Sequence, residues 1–258
     1  AASDVYKRQA GLSPLSAPEA ILSIHWAGLE NGIAQNLPVT ERWEKMLKIE
    51  MPIEQAKLAA EACLFYARML TGDYQAVIDL CLDKTLPDGE YESCSATARE
   101  YLSQAKSRIS SDAPDASLTA EQVKKIEDDV LTLKELFETS DGSIVVSDAQ
   151  AELISGVCEL YARVRMGQFK EIIWYFLDMK LPSEDYCERR DEAEQLLLKA
   201  RESIYPDLHG IGHSYGIGKF EDADKVYDVH QVIRYARGHW REPFSYYPVP
   251  KCTVVNGT

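Results

Sequence analysis

Laid over one another without a gap, Ile49–Ile109 and Ile144–Ile204 agree at 19 of 61 positions. The identities come in runs. Cys63, Tyr66-Ala67-Arg68, Gly72, Leu82-Asp83, Leu86-Pro87 and Tyr91 recur as Cys158, Tyr161-Ala162-Arg163, Gly167, Leu177-Asp178, Leu181-Pro182 and Tyr186. A chance match would keep only a few of these in register, so the chain carries a tandem duplication with a period of 95 residues. A repeat cannot bury its apolar face alone, and neighbouring copies are therefore expected to pack into a continuous core.

Each copy reads as three helices. Leu58, Ala62, Cys63, Tyr66, Ala67 and Leu70 recur at three- and four-residue steps, which places them on one helical face. Gly72 and Gly167 close this first helix, because glycine tolerates a left-handed C-cap. A second helix follows Tyr74 or Phe169 and runs to Asp83 or Asp178, where Leu86-Pro87 and Leu181-Pro182 break it. The third covers about Ser95–Ile109 and Glu188–Ile204, with Ala98, Leu102, Ala105 and Ile109 on its apolar side.

Outside the copies, Ala17–Leu29, Thr40–Leu47, Leu118–Ser140 and Asp222–Arg237 also read as helices. Ser117 or Thr119 is placed to cap the third of these, with a glutamate a few residues on. No stretch alternates convincingly at period two, so no sheet is expected and the fold class is all-α. Residues 10–110 hold the first repeat with its N-terminal helices, 118–205 the long helix and second repeat, and 206–258 a His/Gly-rich loop, a capping helix and an extended tail. The opening AASDVYKRQ resembles translated adapter read-through, and Ala1–Gln9 are set aside from the fold.

A helix, a Gly-x-aromatic turn and a second helix ending near a proline resemble a tetratricopeptide (TPR) hairpin. The residues that carry the resemblance are Gly72-Asp73-Tyr74 with Pro87, and Gly167-Gln168-Phe169 with Pro182. It covers about 35 residues per copy, against a period far longer than the ~34 residues of tandem TPRs. Where that family has an alanine one turn into the second helix, this chain has Val77 and Ile172. The resemblance implies a TPR-like right-handed array or bundle whose concave face binds a peptide or another protein.

Composition narrows the partners. The formal charge is −14 at pH 7, and an acidic surface repels phosphate backbones and anionic lipid. Neither nucleic acid nor membrane is expected as a partner; oligomeric state is not legible. The six cysteines form no CxxC or other tight pair, and Cys63 and Cys158 lie on apolar faces. Buried thiols in a reducing cytoplasm are the expected reading.

Candidate binding residues follow from the repeat. Tyr66, Arg68, Tyr161 and Arg163 recur on the first helix of each copy, and Arg68 lies away from the apolar stripe. They would line a groove, or each arginine would pair locally, Arg68 with the retained Asp83. The segment after Pro206 holds His209, His213, His230 and His239 and the cluster HGIGHSYGIGK. That cluster fits neither GxxxxGK[ST] nor the dinucleotide fingerprint, so no cofactor is expected. His209 and His213 are four apart, but the surrounding glycines argue against a helix and so against a metal pair, and no metal is expected.

His230 sits beside the stripe Val226, Val229, Ile233 and Ala236 and reads first as a packed residue. No residue is assigned a catalytic role. The leading expectation is a protein-interaction or scaffold module. The alternatives are an enzyme or metal-binding protein using His209, His213, Tyr215 and His230, and the sensory part of a larger regulator.

Overall fold

Alternations of four or five residues, too short to stand out from a helical background, pair three distant parts of the chain. The computed structural model describes residues 46–110, 119–177, 181–208, 218–237 and 253–256. All belong to one of the chain's two compact units, Glu44–Thr258; the other, Ala1–Trp43, lies outside the described residues. The described residues are mostly helical, with eight helices and a small sheet, in the order β1 (Met46–Glu50), α1 (Ile53–Leu70), α2 (Gln75–Cys81), α3 (Asp88–Ile109), α4 (Ala120–Thr139), β2 (Ser143–Ser147), α5 (Asp148–Arg165), α6 (Glu171–Phe176), α7 (Ser183–Ile204), α8 (Glu221–Ala236) and β3 (Thr253–Asn256).

The sheet corrects the expectation of none. Its order is β2-β1-β3 and both pairings are antiparallel. Leu47, Ile49, Ile144 and Val146 point inward and are buried, while Met46 and Val145 on the other face are exposed. β1 and β2 escape a periodicity reading because each offers only two inward positions. The expected helix Thr40–Leu47 is overturned at its end, where Met46 and Leu47 belong to β1.

The repeating unit is strand plus four helices, and the copies are related by rotation. In the β1–β2 register Ile49 faces Ile144, its own counterpart in the other copy. A two-fold axis through that pair demands reciprocal contacts elsewhere, and they occur. The third helices α3 and α7 lie antiparallel: Arg108 pairs with Glu192 at 2.8 Å, Lys199 sits 5.5 Å over the Tyr101 ring, and Ser203 Oγ donates to the Cys94 carbonyl at 3.1 Å. Their facing stripes are the same residues twice, Ala98-Leu102-Ala105-Ile109 and Ala193-Leu197-Ala200-Ile204, all buried.

The second helices reciprocate too. Cys81 of α2 donates to the Val164 carbonyl of α5, while Phe176 of α6 lies 5.7 Å from the Tyr66 ring of α1. Stacking by translation, as in a TPR array, would not put equivalent residues face to face. Among the described residues the two copies close on each other face to face.

Local signals set the element ends. Gly72 and Gly167 both adopt the left-handed conformation, at φ 78° and 83°. Thr119 caps α4 in a reciprocal box with Gln122, and Ser147 does the same for α5 with Gln150. The third helices start directly after Pro87 and Pro182, a full turn or more before the positions expected from periodicity. Proline's fixed φ suits a helix start, and acidic residues fill both first turns.

Candidate functional site

Helix α8 closes the second copy as α4 closes the first, and it is held to α5 by buried polar groups rather than by apolar contact alone. The node is built on Glu159. Arg163 Nε donates to Glu159 Oε1 at 2.8 Å, and the Tyr175 hydroxyl lies 3.1 Å from Glu159 Oε2. From α8, His230 Nε2 approaches Glu159 Oε1 at 3.8 Å, while its Nδ1 is 2.9 Å from Ser155 Oγ. Nδ1 also lies 3.0 Å from the Ser155 carbonyl, which can only accept, so the neutral ring carries its proton on Nδ1 and donates it to Ser155, while Nε2 faces the carboxylate without a hydrogen bond. Immediately after α8's last residue, Arg237 donates to Asp148 and Glu152 at about 3 Å.

Burial shifts these groups in opposite senses. It lowers His230 to about 4, against the raising effect of Glu159. Burial alone would raise Glu159, but the charges of His230, when protonated, and of Arg163 and Arg234 outweigh it and hold the carboxyl at about 2. At neutral pH the ring is uncharged and the arginines balance Glu159. Because the folded pKa of His230 lies below its unfolded value, the unfolded chain takes up the proton first. Stability is therefore full above about pH 6.5 and falls as pH drops toward 4, by on the order of 3 kcal/mol. Thermal melts between pH 7 and 4.5 are expected to show this fall, and His230→Gln to flatten it; an unchanged slope in that variant would refute the assignment.

The Ser155–His230–Glu159 order resembles a nucleophile relay, but Ser155 is in the middle of α5 and only 8% exposed. What these three residues do here is fasten one helix to another.

The fastened helix makes one wall of a cleft. The opposite wall is α1, through Lys57, Leu58 and Glu61, and the volume between is about 570 Å³, broadly open to solvent. Arg165, just inside the end of α5, lies at its base. Its guanidinium donates to Asp222 at 2.8 Å and to the Tyr205 hydroxyl at 3.0 Å, and it stacks 4.5 Å from the Phe220 ring centroid. Phe220 and Lys219 line the α8 side, in a turn that starts with left-handed Gly218. The Asp224 carboxylate accepts the Gly218 N–H at 3.1 Å and fixes that turn. Lys225 bridges the walls, 2.9 Å from Glu221 and 3.5 Å from Glu54. Acidic and basic groups are equal in number around the cleft, unlike the strongly acidic chain as a whole.

The expected site residues are distributed otherwise. Tyr66 and Tyr161 are buried, Tyr66 under α6 and Tyr161 edge-on to Phe65 at 5.9 Å, so their rings belong to the core between the copies. Arg68 does pair locally, with Asp73 and Asp79 at 2.7 and 2.8 Å, and the expected Asp83 partner is corrected. Asp83 instead accepts both the N–H and the hydroxyl of Thr85. His230 is a packed residue at the α5–α8 interface. His209, His213 and Tyr215 lie outside the described residues.

Among the described residues no group of three or more His, Cys, Asp or Glu is arranged for a metal, and no helix is long and apolar enough to cross a membrane. The five described cysteines are free thiols, and burial pushes Cys63 and Cys81 up to about 12.

Sequence reading missed Glu159, Arg165 and Phe220. For Glu159 a signal existed: it faces Leu64 in the repeat alignment and stands four residues before Arg163 on a helix. Comparison with family models, with curated proteins and with solved structures gives no match for this chain.

Proposed function

We propose that this protein is an interaction module that receives a segment of another protein in the cleft between α1 and the start of α8. The observation that carries the reading is the α1 wall. Ile53 and Leu64, 54% and 43% exposed, stand three turns apart on the side of α1 that also bears Lys57 and Glu61. Apolar anchors at helical spacing beside a mixed-charge cleft are the arrangement that accepts an amphipathic helix or a short peptide.

The likeness of the Gly-x-aromatic hairpins to TPR hairpins supports the same reading, because such hairpins present a binding face on their first helix. Free thiols among the described residues fit a reducing compartment and support a cytoplasmic location.

The test is a paired substitution, Leu64→Asp with Lys219→Glu, neither of which touches the core. A partner captured by the native chain from source cells should protect α1 and residues 219–225 from hydrogen exchange. The double variant should bind it at least about tenfold more weakly, a loss of ~1.4 kcal/mol. Unchanged affinity, or protection confined elsewhere, refutes the cleft as the binding site.

A further inference from the structure

The rotation that relates the copies also relates the two outer edges of the β1–β2 pair. The edge of β1 carries β3, with Leu47 facing Asn256, Ile49 facing Val254 and Glu50 facing Thr253. The equivalent edge of β2 carries no strand among the described residues. Which of its groups are free follows from the alternation of an antiparallel ladder. The Met51 N–H donates to the Gly142 carbonyl at 2.8 Å, so the pairs two and four residues along, Ile49–Ile144 and Leu47–Val146, are the hydrogen-bonded ones. Lys48 and Glu50 therefore turn their backbone groups toward β3, and Ser143 and Val145 turn theirs outward. At the far end Ser147 is closed off, since its N–H donates to Gln150 Oε1 at 2.9 Å.

We propose that the outer edge of β2 accepts an extended strand from a partner polypeptide, in the antiparallel register that β3 takes on β1. Rotating the β3 pairing onto β2 sets a β-branched residue opposite Ile144 on the buried face, as Val254 is set opposite Ile49. Two donors and two acceptors, those of Ser143 and Val145, hold the added strand. The usual protections of an exposed edge are lacking: β2 reads Ser-Ile-Val-Val-Ser, without lysine, proline or any charge, and Val145 is 53% exposed. A second copy of this chain is disfavoured as the occupant. A strand of five residues buries too little for a stable dimer, and two chains of charge −14 repel each other. The partner segment is therefore neutral or basic, with β-branched residues at alternate positions.

The probe is a synthetic peptide spanning Lys251–Thr258 with Cys252→Ser, the strand that already fits the equivalent edge. Amide exchange of the full chain is followed with and without it. The Ser143 and Val145 amides should exchange freely in the chain alone and slow at least about tenfold with peptide. Val145→Pro removes one outward donor and leaves the ladder to β1 intact. It should abolish the protection of Ser143 while the chain stays folded by circular dichroism; Val145→Lys, which keeps the backbone donor, serves if the proline variant does not fold and should weaken protection. Slow exchange of both amides without peptide would overturn the proposal, whether the edge is covered by the chain itself or, if protection rises with protein concentration, by a second copy. So would peptide binding that leaves Ser143 and Val145 unprotected, or that is indifferent to both variants.

Discussion

Replacing Glu159 with leucine, the residue at the equivalent place in the first copy, should destabilise the protein by about 3–5 kcal/mol. The substitution looks mild in the alignment, since Leu64 is tolerated there at 43% exposure. The environments differ. The Glu159 side chain is 12% exposed and lies against Arg163, with His230 3.8 Å away. Removing the carboxylate leaves Arg163 with a longer contact to Glu171 at 3.5 Å, a neutral one to Gln168 at 3.0 Å and the Tyr227 ring at 5.7 Å. It also strips Arg234 of the carboxylate that favours its charge. An uncompensated buried cation costs more than the pair ever contributed. Urea titration should show the midpoint of Glu159→Leu well below the native one, while Leu64→Glu moves it by less than about 1 kcal/mol. Equal effects of the two would show that the node does not hold α8.

The second large effect is expected at the crossing of α3 and α7. Leu197 and Leu102 occupy the same place in their copies, each 1% exposed, close to where the antiparallel helices cross. Truncating either to alanine should cost about 2–5 kcal/mol, the transfer free energy of the lost atoms plus that of the cavity. Because the residues are equivalent under the rotation, the two single losses should agree more closely than two arbitrary core leucines would. The double variant should depart from additivity by at least about 0.5 kcal/mol, as neighbours sharing one cavity do. Strict additivity would mean that the two sites are independent and the helices do not pack as described.

Most of the helical framework was legible because the signals were local. Gly72 and Gly167 announced their turns, Leu86-Pro87 and Leu181-Pro182 their breaks, and the Ala98–Ile109 stripe its burial. What failed to show was everything decided by distant partners. The strands pair residues about a hundred positions apart or twice that, and five residues carry too few alternations to announce a sheet. Arg68 chose Asp73 and Asp79 over Asp83 because those carboxylates lie in the adjoining turn and on the facing helix, a matter of geometry that residue identity does not reveal. The cleft was hidden for a similar reason. Its α1 wall was read as one helix among several, and its other wall depends on α8 being fastened through Glu159, a residue that breaks the repeat.

The pairing of Ile49 with Ile144 has a meaning for origins. On a true two-fold axis a residue can only meet itself, and that is the situation of two identical subunits in a homodimer. The halves of this chain meet as such subunits would, each lending its short second helix to the other. Joining them end to end, through the few residues between α4 and β2, made association intramolecular and independent of concentration. It also released the two halves from sequence identity. One could then acquire a buried glutamate beneath its fourth helix, while the other kept a leucine facing water.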